Sequence, residues 1–193
     1  LRDHPKAHEL SGRSIEILLG LGIDWAALSA GASPYEDSAR VLFCDTIDRE
    51  LGRVDLLEDG GDEEYRRHLA APAPFLNVSQ VEVERVMRQR VEAAPQITFW
   101  EGHRWESFEH LPGAVRSTLT ELDTGRTLAV ESRYVVCADG AGSPTRRALG
   151  VAMEGPEKLR DFVNASFEAD LSELVCARGK LYFIFNPDGA GAL

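Results

Sequence analysis

The stretch from Tyr134 to Gly150 constrains the fold most. Tyr134-Val135-Val136-Cys137-Ala138 lacks the alternation of a half-exposed strand and predicts a strand covered on both faces, as in the parallel sheets of α/β folds. It runs directly into Asp139-Gly140-Ala141-Gly142-Ser143. Pro144 then suits the first turn of a helix that Gly150 closes. A strand, a small-residue turn and a helix in that order place Asp139 at the carboxyl end of a strand, where open α/β sheets bind ligands.

Two further helices carry start signals. Leu10 to Gly22 has Ser11 as its N-cap, Leu10 placed to staple onto Ile15, and Ile15, Leu18 and Leu19 at helical spacing, with Gly22 as the stop. At Ser79, the run Ser79-Gln80-Val81-Glu82 predicts a capping box with Val78 and Val83 as its staple, and Pro95 ends that helix. Beyond Pro95 the period becomes two. Ile97 and Phe99 alternate with polar neighbours, Arg104 to His110 reads as a strand, and Val115 to Leu122 turns through Asp123-Thr124-Gly125 into Arg126 to Ser132, a meander of antiparallel strands. Phe162 to Phe167 alternates again. Leu181 to Phe185 is a dense aromatic strand ended by the turn Asn186-Pro187-Asp188-Gly189, and the last residues enter a strand with no partner in view.

The 193 residues carry a net charge of -11, which argues against nucleic acid or an anionic membrane surface as partner, since either needs a basic footprint. The charge is uneven. Cys44 to Glu64 holds nine carboxylates against two arginines, which reads as a solvated loop, with Glu58 to Glu64 as a mobile insertion. No apolar run approaches the ~20 residues of a membrane helix. Cys44, Cys137 and Cys176 lie far apart without a C-x-x-C pair, so a reduced, cytoplasmic setting is expected and no metal centre is. His4 and His8 are four apart, but Pro5 between them argues against a helical metal pair.

Three side chains carry directional chemistry. Arg13 and Gln80 each fall in the first turn of a helix, where a guanidinium or an amide adds donors to the helix's own amides, a suitable way to hold a pyrophosphate. For Arg13 the alternative is a salt bridge to Glu16, and for Gln80 a solvent-facing position. Asp139, followed by Gly140, could accept hydrogen bonds from ribose hydroxyls while the glycine lets the backbone approach a ligand; the alternative is an ordinary turn capped by Asp139. Arg146 and Arg147 could touch a phosphate, or form a solvated helix face.

Three blocks together point to a family. His4-Pro5-Lys6-Ala7 followed by Leu10-Ser11-Gly12-Arg13-Ser14-Ile15-Glu16-Ile17-Leu18 and Leu21-Gly22-Ile23 resembles the segment after the dinucleotide fingerprint of FAD-dependent aromatic hydroxylases of the para-hydroxybenzoate hydroxylase type. Val78-Ser79-Gln80 resembles their second block, and Val135 to Val151 their Asp-Gly motif. The resemblance implies an α/β chain of mixed helix and sheet. A Rossmann-like FAD-binding domain (residues 1–23 and 75–150) would interleave with a β-sheet substrate domain (24–74 and 151–193), both incomplete. Leu181 to Phe185 and Val41 to Phe43 would lie on the substrate sheet.

It further implies FAD contacts from Arg13, Gln80, Asp139 and Gly140, with NAD(P)H as co-substrate and dioxygen and a small aromatic ring, phenolic or polyketide-like, as reactants. Hydroxylation would pass through a flavin C4a-hydroperoxide, with no catalytic side chain and no metal. A homo-oligomer is compatible with it. The family's Gly-x-Gly-x-x-Gly loop would precede Leu1 and its Gly-Asp block would follow Leu193, so the chain reads as a central fragment, inactive by itself. Two other readings stay open: a non-catalytic structural or interaction module, and a related flavin halogenase or reductase.

Overall fold

A computed structural model describes residues 7–57, 72–156, 161, 163–165 and 167–193. In chain order the elements are β1 (Glu9–Ser11), α1 (Gly12–Gly20), α2 (Trp25–Ser29), α3 (Tyr35–Ser38), β2 (Arg40–Thr46), β3 (Arg49–Asp55), β4 (Phe75–Asn77), α4 (Gln80–Glu92), β5 (His103–Leu111), β6 (Ala114–Glu121), β7 (Thr127–Ser132), α5 (Pro144–Ala148), β8 (Leu181–Asn186) and β9 (Gly189–Ala192). The fold is mixed α/β. They form two compact units, residues 1–97 with 165–193, and residues 98–164.

In the first unit, β1 and β4 pair antiparallel, Leu10 opposite Leu76. The helices that leave this ladder share one core. Ile15 and Leu18 of α1, Ile23, Leu28 of α2, Leu76, Val78, and Val83 and Val86 of α4 are all buried, with Leu10 packed against them. Burying a side chain of this size stabilises by roughly 1.5–3 kcal/mol, so this cluster, not helix propensity, holds α1 in place. Local signals set its ends. Ser11 Oγ accepts from the Ser14 amide at 3.3 Å, and Gly22, at φ +81°, donates to the Leu19 carbonyl at 2.9 Å and stops the helix. In α4, Ser79 Oγ accepts from the Val81 amide at 3.3 Å, while Glu82 pairs with Arg85 at 2.9 Å. The cap forms, but Glu82 turns to a cation one turn ahead where a capping box was expected.

A second sheet of the same unit has the order β3-β2-β8-β9, with β2 and β8 parallel and Phe43 opposite Phe183. Its two faces differ. Leu42, Cys44 and Tyr182 are buried with Val175, Ala177 and Ile184 against them. On the other face the Phe43 and Phe183 rings stack at 5.5 Å and those of Phe183 and Phe185 at 6.2 Å. Gly179 packs so closely under β2 that an added Cβ would overlap the Leu42 Cδ1 methyl and come to 3.0 Å from the Arg40 carbonyl. Lys180 ties this sheet to the β1–β4 ladder: its ammonium contacts Glu9 at 2.5 Å and lies 4.2 Å from the centroid of the Phe75 ring.

Two expectations change here. The described part of the acidic stretch is a hairpin, β2–β3, because arginines are interleaved with the carboxylates. Arg40 meets Asp55 at 2.6 Å, Arg53 meets Glu50 at 2.7 Å and Arg49 meets Asp45 at 2.9 Å. Glu58 to Glu64 lies outside the described residues. The terminal strand β9 does have a partner, since the Asn186-to-Gly189 turn folds it back on β8.

The second unit holds the meander β5-β6-β7, with Phe108 opposite Ser117 and Val115 opposite Ser132. Helix α5 starts at Pro144 with Ser143 as N-cap, accepting from the Arg146 amide at 2.9 Å, and Gly150 follows it at φ +70°. Tyr134 to Ala138, however, is not a strand. Tyr134 is 82% and Val136 90% exposed, and no ladder partner occurs among the described residues. A run apolar on both faces forms a strand only when neighbours cover both edges and both faces, and none of the described residues does so. Ile97 and Phe99 likewise lie outside any strand. Of the expected strand Phe162 to Phe167, residues 161, 163–165 and 167 are irregular and exposed, while Phe162 and Ser166 lie outside the described residues.

Candidate functional site

The antiparallel β1–β4 ladder fixes where Arg13 and Gln80 lie. Helix α1 leaves at the Ser11–Phe75 end, with the Gly12 amide donating to the Pro74 carbonyl at 2.7 Å. Helix α4 leaves at the other end, with the Gln80 amide donating to the Ala7 carbonyl at 2.9 Å. Gly12 lies five residue steps beyond Ala7 along the β1 segment, so the two helix starts stand roughly 17 Å apart at ~3.4 Å per residue. They can address two portions of one long ligand, but not a single phosphate.

Each side chain already has a local partner. Arg13 Nη1 donates to Glu16 at 2.8 Å, the salt bridge weighed as the alternative, yet the side chain is 76% exposed and a guanidinium has five donors. Gln80 Nε2 donates to Glu84 at 2.6 Å. The first-turn amides of α4 are also engaged: Gln80 with Ala7, Val81 with Ser79 Oγ, Glu82 and Val83 with the Ser79 carbonyl. Helix amides therefore offer an anion little at α4, and Gln80 can serve a ligand only through its side-chain amide.

Asp139 and Gly140 belong to the second unit. The Asp139 carboxylate accepts from the Thr145 amide at 3.0 Å. Hydrogen bonds from the Ser143 hydroxyl first, then from the Thr145 amide and hydroxyl, hold its carboxyl down to about 2. It is ionised at neutral pH and caps the turn, as the alternative reading allowed. Gly140 takes φ +79°, which favours glycine, and space around its missing Cβ is open. The backbone conformation is thus the reason for glycine, and a ligand can approach it freely. Arg146 and Arg147 fold back on the same turn, donating to the carbonyls of Ala141 at 2.7 Å and Gly142 at 2.5 Å.

Asp139 borders a cleft of about 490 Å³ within the second unit, lined also by His103, Arg104, Trp105, Val135 to Ala138, Pro144 and Thr145. Sequence reasoning did not single out His103, Arg104 or Trp105. They begin β5, and only its being an edge strand beside the Asp-Gly turn brings them there. His8, set aside as a metal ligand, has its Nδ1 2.8 Å from Asn77 Oδ1, and His4 lies outside the described residues. Among the described residues no group of three or more His, Cys, Asp or Glu could hold a metal, and no helix is long and apolar enough to cross a membrane.

Residues 1–193 match, from end to end, the family described as FAD binding domain. The chain belongs to that family. It is 26% identical over 207 residues to the tetracenomycin A2 monooxygenase-dioxygenase of Streptomyces glaucescens, a match covering 97% of this chain and 35% of that protein. It is 28% identical to the 2,4-dichlorophenol 6-monooxygenase of Delftia acidovorans, covering 95% of this chain and 31% of that one. Among solved structures it resembles the flavin-dependent monooxygenase PieE in complex with FAD and substrate, with a TM-score of 0.82 and 30% identity over 97% of this chain and 33% of that one. The chain spans about a third of the length of the curated relatives it matches.

Proposed function

We propose that this chain is part of an FAD- and NAD(P)H-dependent monooxygenase that hydroxylates an aromatic, phenolic or polyketide-like substrate. The observation that carries the reading is the family match over all 193 residues, joined by relatives that are themselves named as aromatic monooxygenases. The residues fit the cofactor chemically. An exposed guanidinium on α1 suits a pyrophosphate, a side-chain amide on α4 suits a polyhydroxyl chain, and an open glycine turn beside a carboxylate suits a nucleotide.

In this reading residues 1–23 and 75–150 serve the flavin, and 24–74 and 151–193 the substrate. Bound FAD would supply the redox chemistry that reduces dioxygen and delivers one oxygen atom to the ring. The chain's own residues bind and orient: Arg13 neutralises phosphate charge, Gln80 donates its amide, and the Asp139–Gly140 turn positions the nucleotide. No side chain is assigned as nucleophile or general base. The aromatic face of Phe43, Phe183 and Phe185 has only the small residues Gly52, Ala192 and Ala190 at the paired positions, which suits it to stack against a planar ring.

The test is a fluorescence titration of FAD with the full-length protein, followed by NAD(P)H oxidation with and without a phenolic ring. Flavin uptake, ring-stimulated oxidation and a hydroxylated product are expected. Arg13→Ala should weaken FAD binding about 10- to 100-fold, the worth of one charge-assisted contact. No uptake in excess FAD overturns the reading. Uptake without oxidation leaves a binding module, and a halogenated or reduced product moves the protein to a neighbouring reaction.

A further inference from the structure

Cys44 and Cys176, 132 positions apart in sequence, are neighbours in the fold. Cys44 lies in β2, fully buried in the Leu42–Tyr182 cluster. The backbone amide of Cys176 donates to the carbonyl of Ile47 at 3.2 Å, just beyond the end of the same strand. Val175 and Ala177, on either side of Cys176, pack onto the cluster that contains Cys44. Tyr182, in the same cluster, ties the loop to β8, donating to the Ala177 carbonyl at 2.6 Å and accepting from the Gly179 amide at 3.0 Å. The two thiols are near enough to influence each other, one buried and one exposed.

We propose that Cys44 and Cys176 form a reversible dithiol–disulfide pair, oxidised by a hydroperoxide, that locks the loop before β8 onto β2. The exposed Cys176 thiolate attacks the terminal oxygen of the hydroperoxide. The O–O bond breaks, its electron pair leaves with the alkoxide or hydroxide, which takes a proton, and Cys176 becomes a sulfenic acid. The Cys44 sulfur then attacks the Cys176 sulfur; the S–S bond forms, the S–O bond breaks, and hydroxide leaves with the Cys44 proton as water. Two thiols are oxidised, and one hydroperoxide is reduced to an alcohol and water, or to two waters when it is hydrogen peroxide. A small dithiol reverses the change by exchange.

Burial first, and the neighbouring Cys176 next, push the Cys44 thiol up, which keeps it protonated and out of the first attack. Access points the same way, because a peroxide in solvent meets Cys176 before Cys44. Cys137, exposed in the other unit, is the internal control.

The experiment treats the purified protein, dilute, with hydrogen peroxide, then alkylates, digests with trypsin without reductant and maps the peptides by mass. Expected is a cross-link between peptides 41–49 and 161–178, each cysteine lighter by one hydrogen, about 2 Da in all, and abolished by dithiothreitol. Cys176→Ser, at an exposed position, should fold normally and lose the cross-link. Cys44→Ala should leave Cys176 as a sulfenic acid that dimedone traps; should that variant not fold, the wild type and Cys176→Ser decide alone. Three outcomes overturn the proposal: Cys176 advancing to sulfinic acid with Cys44 still alkylated, a cross-link to Cys137, or no reaction at either thiol.

Discussion

Val78 and Val136 both lie just upstream of a serine-capped helix, yet Val78 is 3% exposed and Val136 90%. Val78 donates its amide to the His8 carbonyl at 2.8 Å, bridges to Ala32 and joins the eight-residue core. Val136 has no ladder partner among the described residues. Downstream the two regions converge again. Ser79 caps α4 and Ser143 caps α5, each through its hydroxyl. A helix start is decided within about four residues, by a cap and a backbone shape. A strand buried on both faces is decided by elements distant in sequence, and its apolar run states the requirement without meeting it.

The same substitution at both valines sharpens this contrast most. Val78→Ala should cost about 2–3 kcal/mol, two carbons at ~0.8 kcal/mol each plus the cavity they leave. Val136→Ala should change the stability of this chain by no more than about 0.5 kcal/mol. Urea unfolding followed by circular dichroism measures both. Equal losses would mean that Tyr134 to Ala138 packs against something, and the contrast would fail.

The capping serines give the next largest difference. Ser79→Ala should cost about 1 kcal/mol, seen as a lower urea midpoint with unchanged slope, because α4 carries Val83 and Val86 into the core. In Ser143→Ala the loss should stay local, since α5 has five residues, only Thr145 of them buried. It should appear as faster hydrogen exchange of the Arg146 amide with little change in the midpoint.

What the sequence made legible follows the same division. Ser11, Gly22, Ser79, Pro144 and Gly150 act where their local chemistry places them, and the alternation from Arg104 to Ser132 produces the three-stranded meander. Leu181 to Phe185 and Val41 to Phe43 do share a sheet, but their parallel register could not be read from either run alone. Three features stayed hidden for one reason. The β2–β3 hairpin depends on cross-strand pairs such as Arg40 with Asp55, the Cys44–Cys176 neighbourhood on a 132-residue excursion, and the cleft beside Asp139 on an edge strand. At the candidate site the residue types were legible. Their mutual arrangement was not, because it depends on which ends of the β1–β4 ladder the helices leave.

The smallest expected effect separates a capping Asp139 from an idle one. Its carboxyl, held down to about 2 by Ser143 and Thr145, lies below the ordinary ~3.9 of an unfolded aspartate. A folded-state value lowered in this way adds stability that is present above about pH 4 and fades as pH falls through about 2. The Thr145 amide proton, donated to Asp139 in the folded turn, should report it. Its chemical shift should stay flat from pH 7 to 4 and then move with a midpoint near 2. Asp139→Asn should abolish that inflection while leaving the β5-β6-β7 meander folded, since the carboxylate's partners all lie in the turn and α5. A midpoint near 4 in the wild type would mean that the carboxylate is free in solution. The Asp-Gly turn would then be held by Gly140 and the two arginines, leaving Asp139 unengaged for a ribose hydroxyl.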